Sequence, residues 1–191
     1  TATGSVYDYY RWASGGRVTV TGRVVATVRT AYDKYYYGYN AWGLSRTSTP
    51  HNIAGLVKEA LDSCRAAVNW SDYDLNGDGY VDMLWVVHAG IGGEASPDRY
   101  DNDLWSITST LDGYWSNTTV YTTPDLVPGS TTQYMRVSRF TSLPELSPFD
   151  EGDLSEIGVY CHEFGHALGL PDLYDVLDGG QTDVGPGCWS L

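Results

Sequence analysis

Two histidines and a glutamate stand close together in the sequence HEFGH at residues 162–166. Residues four apart on a helix lie on the same face, so His162 and His166 can bind one metal ion. Glu163 directly follows the first histidine and can deprotonate a water molecule held by that metal. With Asp172 as a third ligand, the pattern HExxHxxGxxD predicts a catalytic zinc site rather than a closed structural one.

The residues around this motif predict a helix that stops soon after the second histidine. One apolar stripe recurs at helical spacing and is formed by Leu154, Ile157, Cys161, Phe164 and Leu168. Asp153 and Glu156 have the spacing of a capping box at the helix start. Gly169 accepts the left-handed backbone that ends a helix, and the resulting turn can bring Asp172 back to the metal. Asp175, in the same loop, is the alternative third ligand.

A second metal signal lies in the acidic loop at residues 72–82. Its oxygen-bearing side chains and its glycine at 79 match the first half of an EF-hand calcium loop. The predicted calcium ligands are the side chains of Asp74, Asn76, Asp78 and Asp82 and the backbone carbonyl of Tyr80, with Asp72 as an alternative. The loop departs from an EF-hand because Trp85 replaces the final bidentate glutamate and a strand follows instead of a helix. The same residues also suit a tight turn into that strand, and the two interpretations are compatible.

Length and charge limit the class of protein. At 191 residues the chain is long enough for one domain with a substantial core. Its 24 acidic residues exceed its 11 basic residues, which gives a net charge of −13. This excess disfavours nucleic acid and anionic membrane surfaces as partners and suits an extracellular, calcium-binding protein. The sequence lacks an apolar run of about 18 residues, so no membrane span is predicted.

Hydrophobic periodicity predicts an α+β domain with a twisted mixed sheet backed by helices. Residues 18–28 alternate valine with other residues, as a half-buried strand or hairpin does. Thr49-Pro50 is expected to open an amphipathic helix in the favoured order of cap and proline. The apolar runs at 81–87 and 132–140 are predicted to be strands.

The three cysteines and His88 have simpler explanations than catalysis. Cys64 and Cys161 lie on helical apolar stripes and can be buried residues, while a disulfide between Cys161 and Cys188 is the alternative. His88, at the end of a predicted strand, either lines a cleft or is a structural histidine, which is the commoner case.

On these residues the chain resembles the immune inhibitor A-like metallopeptidases, the M6 family of secreted bacterial zinc endopeptidases related to the metzincins. The matching segments are HEFGHALGLPDLYD at 162–175, SVYDYY at 5–10, DLNGDG at 74–79, VHAG at 87–90 and WSL at 189–191. The resemblance implies zinc-dependent hydrolysis of proteins or peptides, with His162, His166 and Asp172 as zinc ligands and Glu163 as general base. It also implies secretion and allows a pro-segment, absent from these residues, as a partner.

The relation to metzincins sets the expected domain organisation. Residues 1–191 are expected to form a single metallopeptidase catalytic domain with a metzincin-like fold. Enzymes of this kind continue into a turn built around a methionine below the zinc, and neither Met83 nor Met135 follows the motif. The domain is therefore expected to lack its C-terminal part beyond the WSL sequence.

Two functions are compatible with these residues. The first is a secreted zinc endopeptidase, whose extended substrate pairs with residues 134–139 as an edge strand. The second is a calcium-stabilised extracellular binding module with a vestigial or structural zinc site. Structural zinc sites are usually closed by four protein ligands, commonly with cysteine among them. Three ligands beside an intact Glu163 therefore favour the enzyme.

Overall fold

A computed structural model of the protein describes residues 4–96, 101–114, 120–148 and 152–172. Internal contacts divide the chain into two compact units. The first unit combines Thr1–Gly22 with Glu156–Leu191, and the second is Arg23–Ser155. The HEFGH motif belongs to the first unit, and the β-sheets belong to the second.

Helices and strands together form a mixed α+β protein, as predicted. The helices are α1 (Val6–Ala13), α2 (Lys34–Gly38), α3 (Ile53–Cys64), α4 (Leu111–Tyr114) and α5 (Ile157–Ala167). The strands are β1 (Leu84–His88), β2 (Ile107–Thr110), β3 (Tyr121–Leu126), β4 (Tyr134–Val137) and β5 (Arg139–Pro144). Short 3-10 turns occupy Trp70–Tyr73 and Gly93–Ala95. Within the described ranges, every helix is too short or too polar to cross a bilayer.

Strand β5 is the centre of a three-stranded sheet with the order β1-β5-β2. It runs parallel to β1, with Leu84 opposite Phe140, and antiparallel to β2, with Thr108 opposite Thr141. This sheet is therefore mixed, as the sequence predicted. Strands β3 and β4 form a separate antiparallel pair.

The second unit is built around one hydrophobic cluster that combines α3 with residues from both sheets. Its fully buried members include Ile53, Val57, Leu61, Met135, Val137 and Phe140. Removing one such side chain from water contributes about 1.5–3 kcal/mol to folding. The apolar periodicity of α3 in the sequence thus corresponds to a real buried face.

Helix α3 begins later than the Thr49-Pro50 pair predicts. Its N-cap is Asn52, whose side-chain oxygen accepts a hydrogen bond from the Gly55 amide at 2.9 Å. Asn52 is fully buried, and its amide nitrogen also donates to the carbonyl of Tyr114 at 3.1 Å. A buried asparagine with these partners is a stronger helix start than an exposed proline, so the prediction was wrong by one turn.

The strand or hairpin predicted at residues 18–28 is absent from the structure, which has no regular element between α1 and α2. Most side chains in this segment are exposed, and Val24 is 85% exposed. Alternation creates a strand only when a neighbouring strand supplies hydrogen bonds and a surface to cover the apolar face. Among the described residues this segment has no such neighbour.

The run at 132–140 was predicted as one strand but divides between β4 and β5, which belong to different sheets. The centre of β4 is also not a free edge. Arg136 pairs with Thr122 on one side, and on the other its amide donates to the Gly79 carbonyl at 3.0 Å. The expected pairing of substrate with residues 134–139 is therefore wrong at Arg136, because both sides of its backbone are already paired.

His88 ends β1 in a buried position. Its Nδ1 lies 3.1 Å from the Ala89 carbonyl, and its Nε2 makes no hydrogen bond to the described residues. Burial lowers the pKa of His88, although the carboxylates of Glu94, Asp103 and Glu145 act in the opposite direction. The imidazole is therefore held neutral in the folded protein, which matches the structural interpretation.

This histidine should make the protein less stable in acid. Below about pH 6.5 the unfolded chain binds a proton at position 88 that the folded chain refuses. The free energy of unfolding should then fall by up to about 1.4 kcal/mol per pH unit until the pH reaches the lowered folded-state pKa. In His88→Asn, thermal unfolding between pH 8 and 5 should show a smaller acid-dependent loss. Because the other histidines are common to both proteins, an identical pH dependence would contradict this assignment.

Candidate metal centre

The motif-bearing helix α5 starts at Ile157, and its N-cap Glu156 makes no capping hydrogen bond through its side chain. The predicted capping box with Asp153 is therefore wrong. The Asp153 carbonyl instead accepts a hydrogen bond from the Ser147 amide at 2.9 Å, and Leu154 forms a bridge with Leu146. These contacts hold the preceding residues in an extended conformation, so they cannot cap the helix.

The end of α5 follows the predicted turn. Gly169 has a φ angle of +91°, and its amide donates to the His166 carbonyl at 2.9 Å. The Leu170 amide donates to the Gly165 carbonyl at 3.0 Å. These two bonds form a Schellman motif, in which a residue with left-handed geometry reverses the chain. The reversal directs the segment that carries Asp172 back along the helix.

The three predicted zinc ligands meet at one point. His162 Nε2 and His166 Nε2 are 3.1 Å apart. Asp172 Oδ1 lies 3.3 Å from the first nitrogen and 3.2 Å from the second. Two ligands at about 2.0–2.1 Å from a tetrahedral zinc ion are separated by roughly 3.3–3.4 Å. Along the described parts of the chain, these residues are the one set of three metal-binding side chains whose ligand atoms lie within 4.8 Å.

The lone pairs and charge of these three ligand atoms also suit a cation. His166 Nδ1 lies 2.9 Å from the Leu170 carbonyl, and donation there leaves the lone pair of Nε2 directed at the centre. Asp172 Oδ1 is buried and accepts no hydrogen bond from the described residues. Electron-rich atoms this close repel one another unless a positive charge lies between them. The residues present therefore fit a zinc ion by both distance and chemistry.

With respect to the described residues, the predicted ligands are partly accessible to solvent. The side chains of His162, His166 and Asp172 are 22%, 24% and 29% exposed. Asp175 lies outside the described residues. Glu163 is buried at 5% exposure and sits beside the ligands, about 100° around the helix from His162. A partly accessible group of ligands next to a buried carboxylate can present a water molecule to a substrate.

The buried face of α5 differs from the predicted apolar stripe. Leu154 is 73% exposed and Leu168 is 49% exposed, because both lie outside the helix. The buried positions are Cys161, Glu163 and Gly165. Cys161 is a free thiol, and burial raises its pKa to about 11, so it stays protonated at neutral pH. The apolar interpretation of Cys161 is supported, while Cys188 lies outside the described residues.

The predicted calcium loop is tightly hydrogen-bonded to its own backbone. Asp74 accepts from the amides of Gly77, Asp78 and Gly79 at 2.7, 3.1 and 2.8 Å. Asp82 accepts from the Leu75 amide at 3.1 Å.

The remaining predicted ligands are arranged in the same way. Asn76 Oδ1 accepts from the Asp78 amide at 2.9 Å, and Asp78 Oδ1 accepts from the Tyr80 amide at 2.8 Å. In the described residues, the loop carboxylates do not gather into a set of three within 4.8 Å. The turn interpretation is thus supported, and calcium binding stays a prediction.

The sequence motif by itself does not predict two of the hydrogen bonds near the candidate metal centre. The Leu170 carbonyl orients His166, yet a backbone carbonyl leaves no trace in a sequence. The Tyr10 hydroxyl donates to the Cys161 carbonyl at 2.6 Å across 151 residues of chain. Tyr10 belongs to the SVYDYY segment, which signalled a family resemblance but not a contact.

The geometry brings two histidines and a carboxylate together as a candidate metal centre, with the types of ligand that metal-dependent peptidases use. The chain matches the family described as immune inhibitor A peptidase M6, catalytic domain, over residues 2–191. It therefore belongs to the M6 family of metallopeptidases, which confirms the resemblance drawn from its motifs.

Known relatives agree with this assignment. The chain is 33% identical over 203 residues to the pre-pro-metalloprotease PrtV of Vibrio cholerae serotype O1, covering 98% of this chain and 20% of that protein. It is 32% identical over 189 residues to immune inhibitor A of Bacillus thuringiensis subsp. alesti, covering 88% of this chain and 25% of that protein. The chain thus spans a quarter or less of the length of these relatives.

Proposed function

We propose that this chain is the zinc-binding catalytic part of a secreted endopeptidase with a metzincin-like fold. His162, His166 and Asp172 would hold the zinc ion, and Glu163 would be the general base. The observation that carries the proposal is the triangle of ligand atoms with edges of 3.1–3.3 Å, one of whose histidines is oriented by a backbone carbonyl. Its substrates would be proteins or peptides, because the family is one of peptidases and the relative PrtV is a pre-pro-metalloprotease.

The chemistry divides between the metal and Glu163. When bound, zinc acts as a Lewis acid toward a scissile carbonyl and lowers the pKa of water toward about 7. The Glu163 carboxylate takes a proton from the attacking water and later delivers it to the leaving amine.

A binding module with a structural zinc site is less well supported. A structural site would need a fourth protein ligand, and the set among the described residues has three. Cys161, the closest cysteine in sequence, is buried and does not belong to that set. The net charge of −13 is compatible with secretion and with a peptide rather than a nucleic-acid substrate.

Zinc removal tests the proposed function. The intact protein that carries this chain should bind one equivalent of zinc and cleave casein. Dialysis against a chelator should stop cleavage, and one equivalent of zinc should restore it. Zinc binding without cleavage would favour the binding module, and a protein that takes up no zinc would contradict the metal centre itself.

Calcium is proposed as a second, stabilising ion at the loop of residues 72–82. Calcium prefers six to eight oxygen ligands, and the backbone hydrogen bonds of the loop leave acceptor lone pairs on its carboxylates. The ligands would be Asp74, Asn76, Asp78 and Asp82 with the Tyr80 carbonyl. Millimolar calcium should then raise the melting temperature of the zinc-loaded protein, and Asp78→Asn should reduce that rise. An equal rise in Asp78→Asn and the parent would place any calcium elsewhere.

A further inference from the structure

Tyr10 is the one buried residue of α1. It is 7% exposed, and its ring packs edge-to-face on Phe164 of the metal-binding motif, with ring centroids 5.0 Å apart. Its hydroxyl donates a 2.6 Å hydrogen bond to the Cys161 carbonyl. Burial raises the pKa of Tyr10 to about 12, so this hydroxyl remains a donor throughout the neutral range.

That carbonyl belongs to the peptide group whose nitrogen is the amide of His162. Fixing the plane of this group therefore fixes the backbone from which the first predicted ligand projects. The ligand atoms of the centre are separated by only 3.1–3.3 Å. A shift of a few tenths of an ångström in the helix would change these separations appreciably relative to the bond lengths that zinc accepts.

Gly165, the fourth residue of HEFGH, is part of the same contact. A Cβ atom at this position would lie 3.2 Å from the Tyr10 hydroxyl oxygen, tighter than an ordinary van der Waals contact. The φ angle of Gly165 is helical, so the backbone does not require glycine there. The absence of a side chain therefore allows the hydroxyl to reach the helix backbone.

The helix that presents Tyr10 is itself locally fixed. Ser5 and Asp8 form a capping box, in which the Asp8 amide donates to Ser5 Oγ at 3.2 Å and the Ser5 amide donates to Asp8 Oδ2 at 3.0 Å. This capping box satisfies backbone donors in the first turn and so stabilises the start of the helix that carries Tyr10. Tyr10 therefore lies on a helix whose start is stabilised by its own residues.

We propose that Tyr10 is a positioning residue for the metal centre, acting through the Cys161 carbonyl and the space left by Gly165 to set the orientation of His162 and His166. This inference rests on the proposed zinc site and adds a residue that the HExxHxxGxxD pattern does not contain. Tyr10 acts through Phe164 and the Cys161 carbonyl, so its effect is on the geometry and affinity of the site.

A double-mutant cycle on the intact protein tests the inference. Tyr10→Phe keeps the ring and removes the hydroxyl, and its control is Tyr9→Phe, whose hydroxyl makes no hydrogen bond to the described residues. Zinc affinity is measured by competition with a fluorescent chelator. Tyr10→Phe should weaken zinc binding about 10-fold, as expected for a residue that orients a ligand, while Tyr9→Phe should leave the affinity unchanged.

Gly165→Ala completes the cycle. In the parent its methyl group meets the hydroxyl and should weaken zinc binding about as much as Tyr10→Phe does, but in the Tyr10→Phe background it should add little. The visible spectrum of the cobalt-substituted protein should change in both single variants. The melting temperature of the metal-free proteins shows separately whether they remain folded.

Specific outcomes separate this inference from the proposed function. Equal zinc affinities and cobalt spectra for folded Tyr10→Phe and Tyr9→Phe would overturn the positioning role while leaving the zinc site intact. Additive effects of Tyr10→Phe and Gly165→Ala would also overturn it, because they would show that the two residues do not share a contact. A parent protein without zinc affinity would instead reject the proposed function on which the inference rests.

Discussion

Glu163→Gln should produce a protein that binds zinc normally but cleaves peptide bonds about 10²–10⁴-fold more slowly, the usual contribution of a general base. Glutamine keeps the size and shape of the side chain, so the 5% exposed position should still be filled. It cannot take a proton from water, however, and the proposed mechanism loses its first proton transfer. The loss should appear in kcat more than in KM, because the interaction develops in the transition state.

The measurement combines casein or peptide cleavage with zinc content for the parent and the variant. Glu156→Gln is a suitable control, because it removes the same type of charge from the exposed start of the same helix. That control should retain both activity and zinc. Full activity in Glu163→Gln would show that another group acts as the base, and loss of zinc would show that Glu163 supports the metal site instead.

Asp172→Asn should weaken zinc binding by more than about 100-fold, since even residues that only orient a ligand contribute about 10- to 100-fold. Asparagine retains the shape of aspartate but not the charge that complements a cation between two imidazoles. The Schellman motif should survive, because it is formed by backbone groups of Gly165, His166, Gly169 and Leu170. The change should therefore affect metal affinity with little loss of folding stability.

Competition with a chelator measures this affinity, and the melting temperature of the metal-free protein shows that the fold is intact. Asp153→Asn provides a charge-matched control, because Asp153 is exposed and lies before α5. Asp175→Asn tests the alternative third ligand directly. Normal affinity in Asp172→Asn together with a large loss in Asp175→Asn would assign the third position to Asp175.

The sequence predicted most reliably those elements whose structure depends on local contacts. The apolar face of α3 and the helical spacing of the two histidines both arise within one helix, where neighbours are three or four residues apart. Gly169 is a similar case, because its positive φ angle is a property of the residue and its turn. Such local features form irrespective of the structure that the rest of the chain adopts.

Predictions that depended on a distant partner were less accurate. The valines at 18–28 alternate as a strand would, but alternation does not provide the partner strand that its amides need. The run at 132–140 does not reveal that its two halves pair in different sheets. Helix α3 starts after Asn52 and not at Pro50, because Asn52 is buried and hydrogen-bonded to Tyr114. Tyr114 is too distant in sequence for a local pattern to reveal this contact.

By itself, the sequence determined which atoms are available for zinc and their order along the chain, since residue chemistry and helical spacing are local properties. It also determined membership in the M6 family, because the motifs extend across the chain. The tertiary structure decided how far Asp172 returns toward the histidines, which backbone carbonyl orients His166 and which tyrosine packs against the metal-binding helix. These depend on the closing of a turn and on a contact across 151 residues, where separation in space is independent of separation in sequence.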